Sequence, residues 1–90
     1  MQQSYLEVTF RNGIPLAAYY YLPRLAGEKC VRVEKHGAGL LVDLAADGHP
    51  LGVEIAIPNL VTIDLLNAVL EAYGLPPIDA DDLAPLNRAA

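Results

Sequence analysis

LLVDLAADGHPLGVEIAI, Leu40–Ile57, is the stretch that decides the fold. Two alternating runs flank Asp47-Gly48, and such a dipeptide between alternating runs is a strong hairpin signal. In Leu40–Ala45, Leu40, Val42 and Leu44 fall on one side, and Leu41, Asp43 and Ala45 on the other. In Leu51–Ile57, Leu51, Val53, Ile55 and Ile57 point inward, while Gly52, Glu54 and Ala56 point outward. A side-chain period of two gives one sheet an apolar face and a wetter face.

Towards the N-terminus the same pattern recurs. Lys29–Lys35 reads as the preceding strand, with Val31 and Val33 alternating with Cys30, Arg32 and Glu34, and with Gly37 and Gly39 bracketing the turn after it. Leu16–Leu22 comes before that, with Ala18, Tyr20 and Leu22 on one side and Ala17, Tyr19 and Tyr21 on the other. Pro23 ends it, and Gly27 sits in the following turn. Tyr5–Phe10 is the first strand, joined to the second through Asn12-Gly13, two residues that tolerate positive φ. Every connection reads as short, and short connections favour antiparallel neighbours, because a parallel pair needs a long crossover.

Beyond Pro58-Asn59 the period changes. Ile63, Leu66, Val69, Leu70 and Tyr73 recur at helical spacing. Thr62 is the N-cap candidate. Gly74 followed by Pro76-Pro77 gives the stop. Asp79 is a second N-cap candidate, for a short turn through Ala84 that Pro85 limits, and the tail Leu86–Ala90 is expected to fray. The expected class is α+β: an antiparallel β-meander of about five strands (residues 5–57) with a C-terminal helix (residues 62–73) packed on one face. Residues 79–90 form a short turn and tail, and all 90 residues form a single domain.

Composition narrows the function. A chain of 90 residues supports one modest core, and 53% hydrophobic residues is rich for that size. Such a chain is expected to cover surface in a homo-oligomer or a complex. The net charge of −5 is uneven: residues 1–38 carry +2 and residues 39–90 carry −7. An acidic chain lacks the basic footprint that nucleic acid requires, so a basic protein is the expected partner. No run reaches transmembrane length. The opening MQQSYLEVTF lacks the charge and apolar order of a signal peptide, so a cytoplasmic location is expected.

Two segments, AAYYYLP (Ala17–Pro23) and VDLAADGHPLGVEI (Val42–Ile55), together resemble the prokaryotic domain of unknown function 2283 family. Ala17, Ala18, Tyr19, Tyr20 and Leu22 match its first strand pattern. Asp43, Asp47, Gly48, Gly52, Val53, Glu54 and Ile55 match its strand-turn-strand pattern. The resemblance spans residues 5–57 and departs at RNGIP, where the family carries an acidic turn. It implies a small, stand-alone prokaryotic protein with a binding or antitoxin-like role, and it supplies no catalytic residue.

The candidate chemistry is sparse. His36 and His49 fall in turns, without the spacing of a metal site, and no cofactor motif is present. The single cysteine, Cys30, reads as a small strand hydrophobe. Gly37–Gly39 is followed by a strand and not a helix, so it lacks the geometry of a phosphate cradle. Asp43 and Glu54 are expected to stand opposite or diagonal on the outer face, in a ladder with Arg32. Gly52, lacking a side chain, leaves room for the ring of Tyr19 or Tyr21. Tyr19 and Tyr21 point outward and offer contact area at low entropic cost. The helix is apolar around more than one sheet face covers, which leaves Leu65, Ala68 and Ala72 for another surface. The reading is therefore a non-catalytic interaction module, a homodimer or the partner of a basic protein, binding through Tyr19, Tyr21, Arg32, Asp43 and Glu54. The alternative is a small enzyme with Glu54 and Asp43 as an acid–base pair at a dimer interface.

Overall fold

The computed structural model describes residues 3–24 and 27–87. Among them the elements run β1 (Tyr5–Arg11), β2 (Ile14–Tyr21), β3 (Arg32–Lys35), β4 (Leu40–Leu44), β5 (Pro50–Ile55), a 3-10 turn (Pro58–Leu60), α1 (Ile63–Ala72) and α2 (Ala80–Asn87). The five strands make one antiparallel sheet, so the α+β class holds.

The meander does not. The strand order is β1-β2-β5-β4-β3, with β5 and not β3 beside β2. β2 and β3 therefore lie apart in the sheet: just after β2, Leu22 N–H donates to Leu51 O beside β5, and just before β3, Val31 N–H donates to Leu44 O beside β4. Burial explains the exchange. A central strand is covered on both sides and should be apolar, whereas an edge tolerates charge. Leu51, Gly52, Val53 and Ile55 of β5 are buried, while β3 reads Arg-Val-Glu-Lys.

Local chemistry sets the turns and caps. Asn12 (φ 55°) and Gly13 (φ 78°) join Arg11 to the opposite residue, Ile14, as a two-residue turn of the kind whose twist suits a hairpin. Leu16 has no partner in β1, and Leu51 none in β4, where the register of each pair slips by one residue. Thr62 Oγ1 accepts from Leu65 N–H (3.1 Å) and caps α1. At its other end Leu75 N–H donates to Leu70 O and Gly74 N–H to Glu71 O, the paired bonds that close a helix around a left-handed glycine.

Ala18, Tyr20, Val42, Leu44, Val53 and Ile55 of the sheet lie in one buried cluster with Leu66, Val69 and Leu70 of α1 and with Leu83 and Leu86 of α2. The expectation of a frayed segment after Pro85 is corrected within the described residues. Pro85 sits inside α2, and Leu86 beyond it is buried, because its apolar contacts outweigh the lost backbone bond. Residues 88–90 of that expected tail lie outside the described residues. Three boundaries also move. β3 starts at Arg32, so Cys30 precedes it and is exposed. β2 starts at Ile14. β5 stops at Ile55, and Ile57, expected inside, is exposed as the chain bends into the 3-10 turn. Among the described residues no helix is long and apolar enough to cross a membrane.

Candidate functional site

The register turns the outer face of the sheet into two rows that cross all five strands. One row runs Tyr5–Tyr21–Gly52–Asp43–Val33, and the next runs Glu7–Tyr19–Glu54–Leu41–Lys35. Alternation puts these side chains opposite the buried cluster, and they are exposed or half-buried, apart from the buried Gly52.

The tyrosines bind the rows together. Tyr19 leans out of its own row across Gly52 and donates to Asp43 Oδ2 at 2.7 Å. A Cβ on residue 52 would lie 2.2–2.4 Å from Cε1, Cζ and the hydroxyl of Tyr19, so glycine here makes room for an aromatic ring. Tyr21 leans the other way and donates to Glu7 Oε1 at 3.0 Å. Its ring stacks on Tyr5 with centroids 4.5 Å apart and planes 15° apart, and meets Tyr19 at 4.6 Å and 54°. The Arg24 guanidinium lies 5.8 Å from the Tyr21 ring centre, within range of a cation–π contact.

Burial, followed by Asp43, pushes the Tyr19 hydroxyl well above the ordinary phenol range. The bond to Glu7 raises Tyr21 as well. Both hydroxyls therefore stay protonated donors at neutral pH and are poor candidates for general bases. Glu54 is exposed, stands diagonal to Asp43 and directly opposite Tyr19, and borders an open depression of about 190 Å³ together with Glu7, Thr9, Ala17 and Tyr19.

Of the five residues expected to bind, Tyr19, Tyr21, Asp43 and Glu54 share this face. Arg32 does not. It pairs with Leu44, on the side of the sheet that carries the core, and its guanidinium lies 3.5 Å from Glu34. The ladder of Arg32 with Asp43 and Glu54 is thereby corrected: Val33 is the β3 residue opposite Asp43, one position away in sequence and on the other side of the sheet. Sequence reasoning missed Glu7 and Tyr5, which the β1–β2 register brings to Tyr19 and Tyr21.

The histidines are engaged elsewhere. His36 Nε2 is 2.6 Å from the Tyr73 hydroxyl, which itself donates to Glu34, so α1 is tied to β3 and its turn. Burial, then Glu34, pushes the Tyr73 hydroxyl up to about 12. His49 stands between Glu28 (2.7 Å from Nε2) and Asp47 (2.5 Å from Nδ1), so the link before β3 is fastened to the β4–β5 turn. Among the described residues no three His, Cys, Asp or Glu side chains converge as metal ligands; here one carboxylate takes each ring nitrogen. Cys30 Sγ lies 3.4 Å from Arg32 O, exposed, and not buried as a strand hydrophobe.

No family model, curated protein or solved structure matches this chain.

Proposed function

We propose that the protein is a non-catalytic interaction module whose binding surface is the tyrosine-and-carboxylate face of its sheet, and that a basic protein is its partner. One observation carries the reading: Tyr5, Tyr19 and Tyr21 form a continuous ring cluster on an outward face, with Glu7, Asp43 and Glu54 interleaved. Rings already held by stacking and by hydroxyl bonds lose little further freedom on binding. Carboxylates among them select a cationic partner and speed its approach, in keeping with a net charge of −5.

In this reading α1 seals the other side of the sheet. Support comes from the buried cluster that Leu66 and Leu70 share with Val42, Val53 and Ile55, and from the bond between Tyr73 and Glu34. A cytoplasmic, antitoxin-like role is the specific form of the proposal, and it leans on the resemblance carried by Ala17–Pro23 and Val42–Ile55. The acid–base alternative at Glu54 and Asp43 draws less support, because Glu54 sits in the open and Asp43 is committed to the Tyr19 hydroxyl.

The test is calorimetric titration of the full chain with an arginine- and lysine-rich peptide, beside an acidic peptide of equal length. Saturable, salt-weakened binding to the basic peptide alone is expected, lost in the double variant Tyr19→Ala with Tyr21→Ala. Equal affinity before and after that substitution would sink the proposal.

A further inference from the structure

β3 ends the sheet and pairs with β4 alone, so its outer backbone edge is open among the described residues. The other edge strand, β1, is blunted: its pairing slips between Thr9 and Phe10, and α2 lies against it. No helix lies against β3 among the described residues; Val33 within it is exposed at 47%, and Val31 just before it at 63%, with its N–H turned to Leu44 O of β4. Along it, alternate residues turn their N–H and C=O groups to β4. His36 N–H, donating to Leu40 O, fixes the phase, so Arg32 and Glu34 face β4 while Val33 and Lys35 face the open edge.

We infer that two copies of this chain pair through β3, antiparallel about a twofold axis at Val33. The segment Arg32-Val33-Glu34 is complementary to itself in that register. Val33 meets the partner's Val33 in a hydrogen-bonded pair. Arg32 meets the partner's Glu34, and Glu34 the partner's Arg32, in the non-hydrogen-bonded pairs whose side chains approach most closely. Arg32 is exposed at 63% and Glu34 at 43%; Oε1 of Glu34 accepts from Tyr73, and Oε2 faces the Arg32 guanidinium that the partner's Arg32 would replace. The neighbouring registers are disfavoured. Sliding by two residues sets Arg32 against Arg32 in one direction and Glu34 against Glu34 in the other, with like charges directly opposite. An isologous contact of this kind closes at two copies, and so a strand edge that would otherwise invite open-ended pairing is consumed. It joins the two sheets edge to edge and leaves both tyrosine faces open, so the dimer presents the proposed binding surface twice.

Sedimentation velocity on the full chain across a concentration series tests this, with circular dichroism reporting that each variant is folded. A dimer is expected for the natural sequence. Val33→Asp alters a half-exposed side chain outside the core and sets two carboxylates against each other on the axis, raising the dissociation constant by at least about tenfold. Arg32→Glu and Glu34→Arg are each expected to be monomeric, and an equimolar mixture of the two is expected to form a heterodimer, because glutamates then face arginines throughout. Glu34→Arg also removes the acceptor of Tyr73; if it does not fold, Arg32→Glu and Val33→Asp decide alone. A natural chain that stays monomeric overturns the inference. So does a Val33→Asp dimer as tight as the natural one, or a mixture of folded variants that stays monomeric. Tyr19→Ala with Tyr21→Ala leaves the dimer intact, so the two proposals fail separately.

Discussion

At the scale of single residues, Gly52 does the most for the candidate site. Its missing side chain lets Tyr19 cross β5 and reach Asp43. Gly52→Ala is expected to displace that ring and cost about 1–3 kcal/mol, the usual range for overpacking. Urea unfolding measures the cost, and an altered Tyr19 resonance in the NMR spectrum locates it. His49 gives a pH-dependent expectation. Asp47 first, with Glu28 in support, raises its folded pKa above the ordinary 6.5. Its contribution is therefore complete below that value and fades as pH rises through the folded pKa. Asp47 is lowered, chiefly by the His49 backbone N–H, so its share is present above its ordinary value of 3.8 and is lost as pH falls through the folded one. An NMR titration should place the His49 midpoint above 6.5, and Asp47→Asn should move it back down.

At the scale of elements, α2 shows what burial does to a weak local signal. Asp79 before it and Pro85 within it suggest a brief turn, yet Leu83 and Leu86 join the buried cluster. Asn67 fastens the link that leads there, donating to Ile78 O at 3.2 Å and accepting from Ile78 N–H at 2.9 Å. Leu83→Ala is expected to destabilise the protein by about 2–5 kcal/mol, as for other fully buried leucines. Chemical denaturation reads this directly, and a loss within a few tenths would mean α2 contributes little. By contrast, α1 was legible from sequence: Thr62, Gly74 and the apolar stripe fix its limits through bonds within a few residues of each end. The β1–β2 hairpin is an intermediate case. A two-residue turn at Asn12-Gly13, counted straight, sets Tyr5 opposite Tyr20. Alternation, however, puts Tyr20 inside and Tyr5 outside. The two readings differ by one residue, and the extra Leu16 resolves them, so that Tyr5 meets Tyr21 and Glu7 meets Tyr19.

At the scale of the whole molecule, the sheet has a protected centre and lightly held margins. β2, β5 and β4 each have neighbours on both sides, whereas β1 and β3 do not. Hydrogen exchange should therefore be slowest in the amides of Tyr20, Val42 and Val53, and fastest among the strands at the open sides of β1 and β3. Under the dimer proposed above, Val33 and Lys35 gain protection as concentration rises, while the open side of β1 does not. Uniform protection across all five strands would contradict this division.

Side-chain alternation, turn chemistry and helix caps determined from sequence alone, to within about three residues at each end, where the strands and α1 lie, and which way Tyr19, Tyr20 and Tyr21 point. Those signals act between residues close along the chain. Only the tertiary structure decided that β5 lies beside β2, that Arg32 leaves the sheet face carrying Tyr19 and Glu7 joins it, and that Leu83 and Leu86 belong to the core. Each of these depends on which distant strand or helix covers a given apolar surface. That choice is settled by burial summed over the whole fold, which no local pattern encodes.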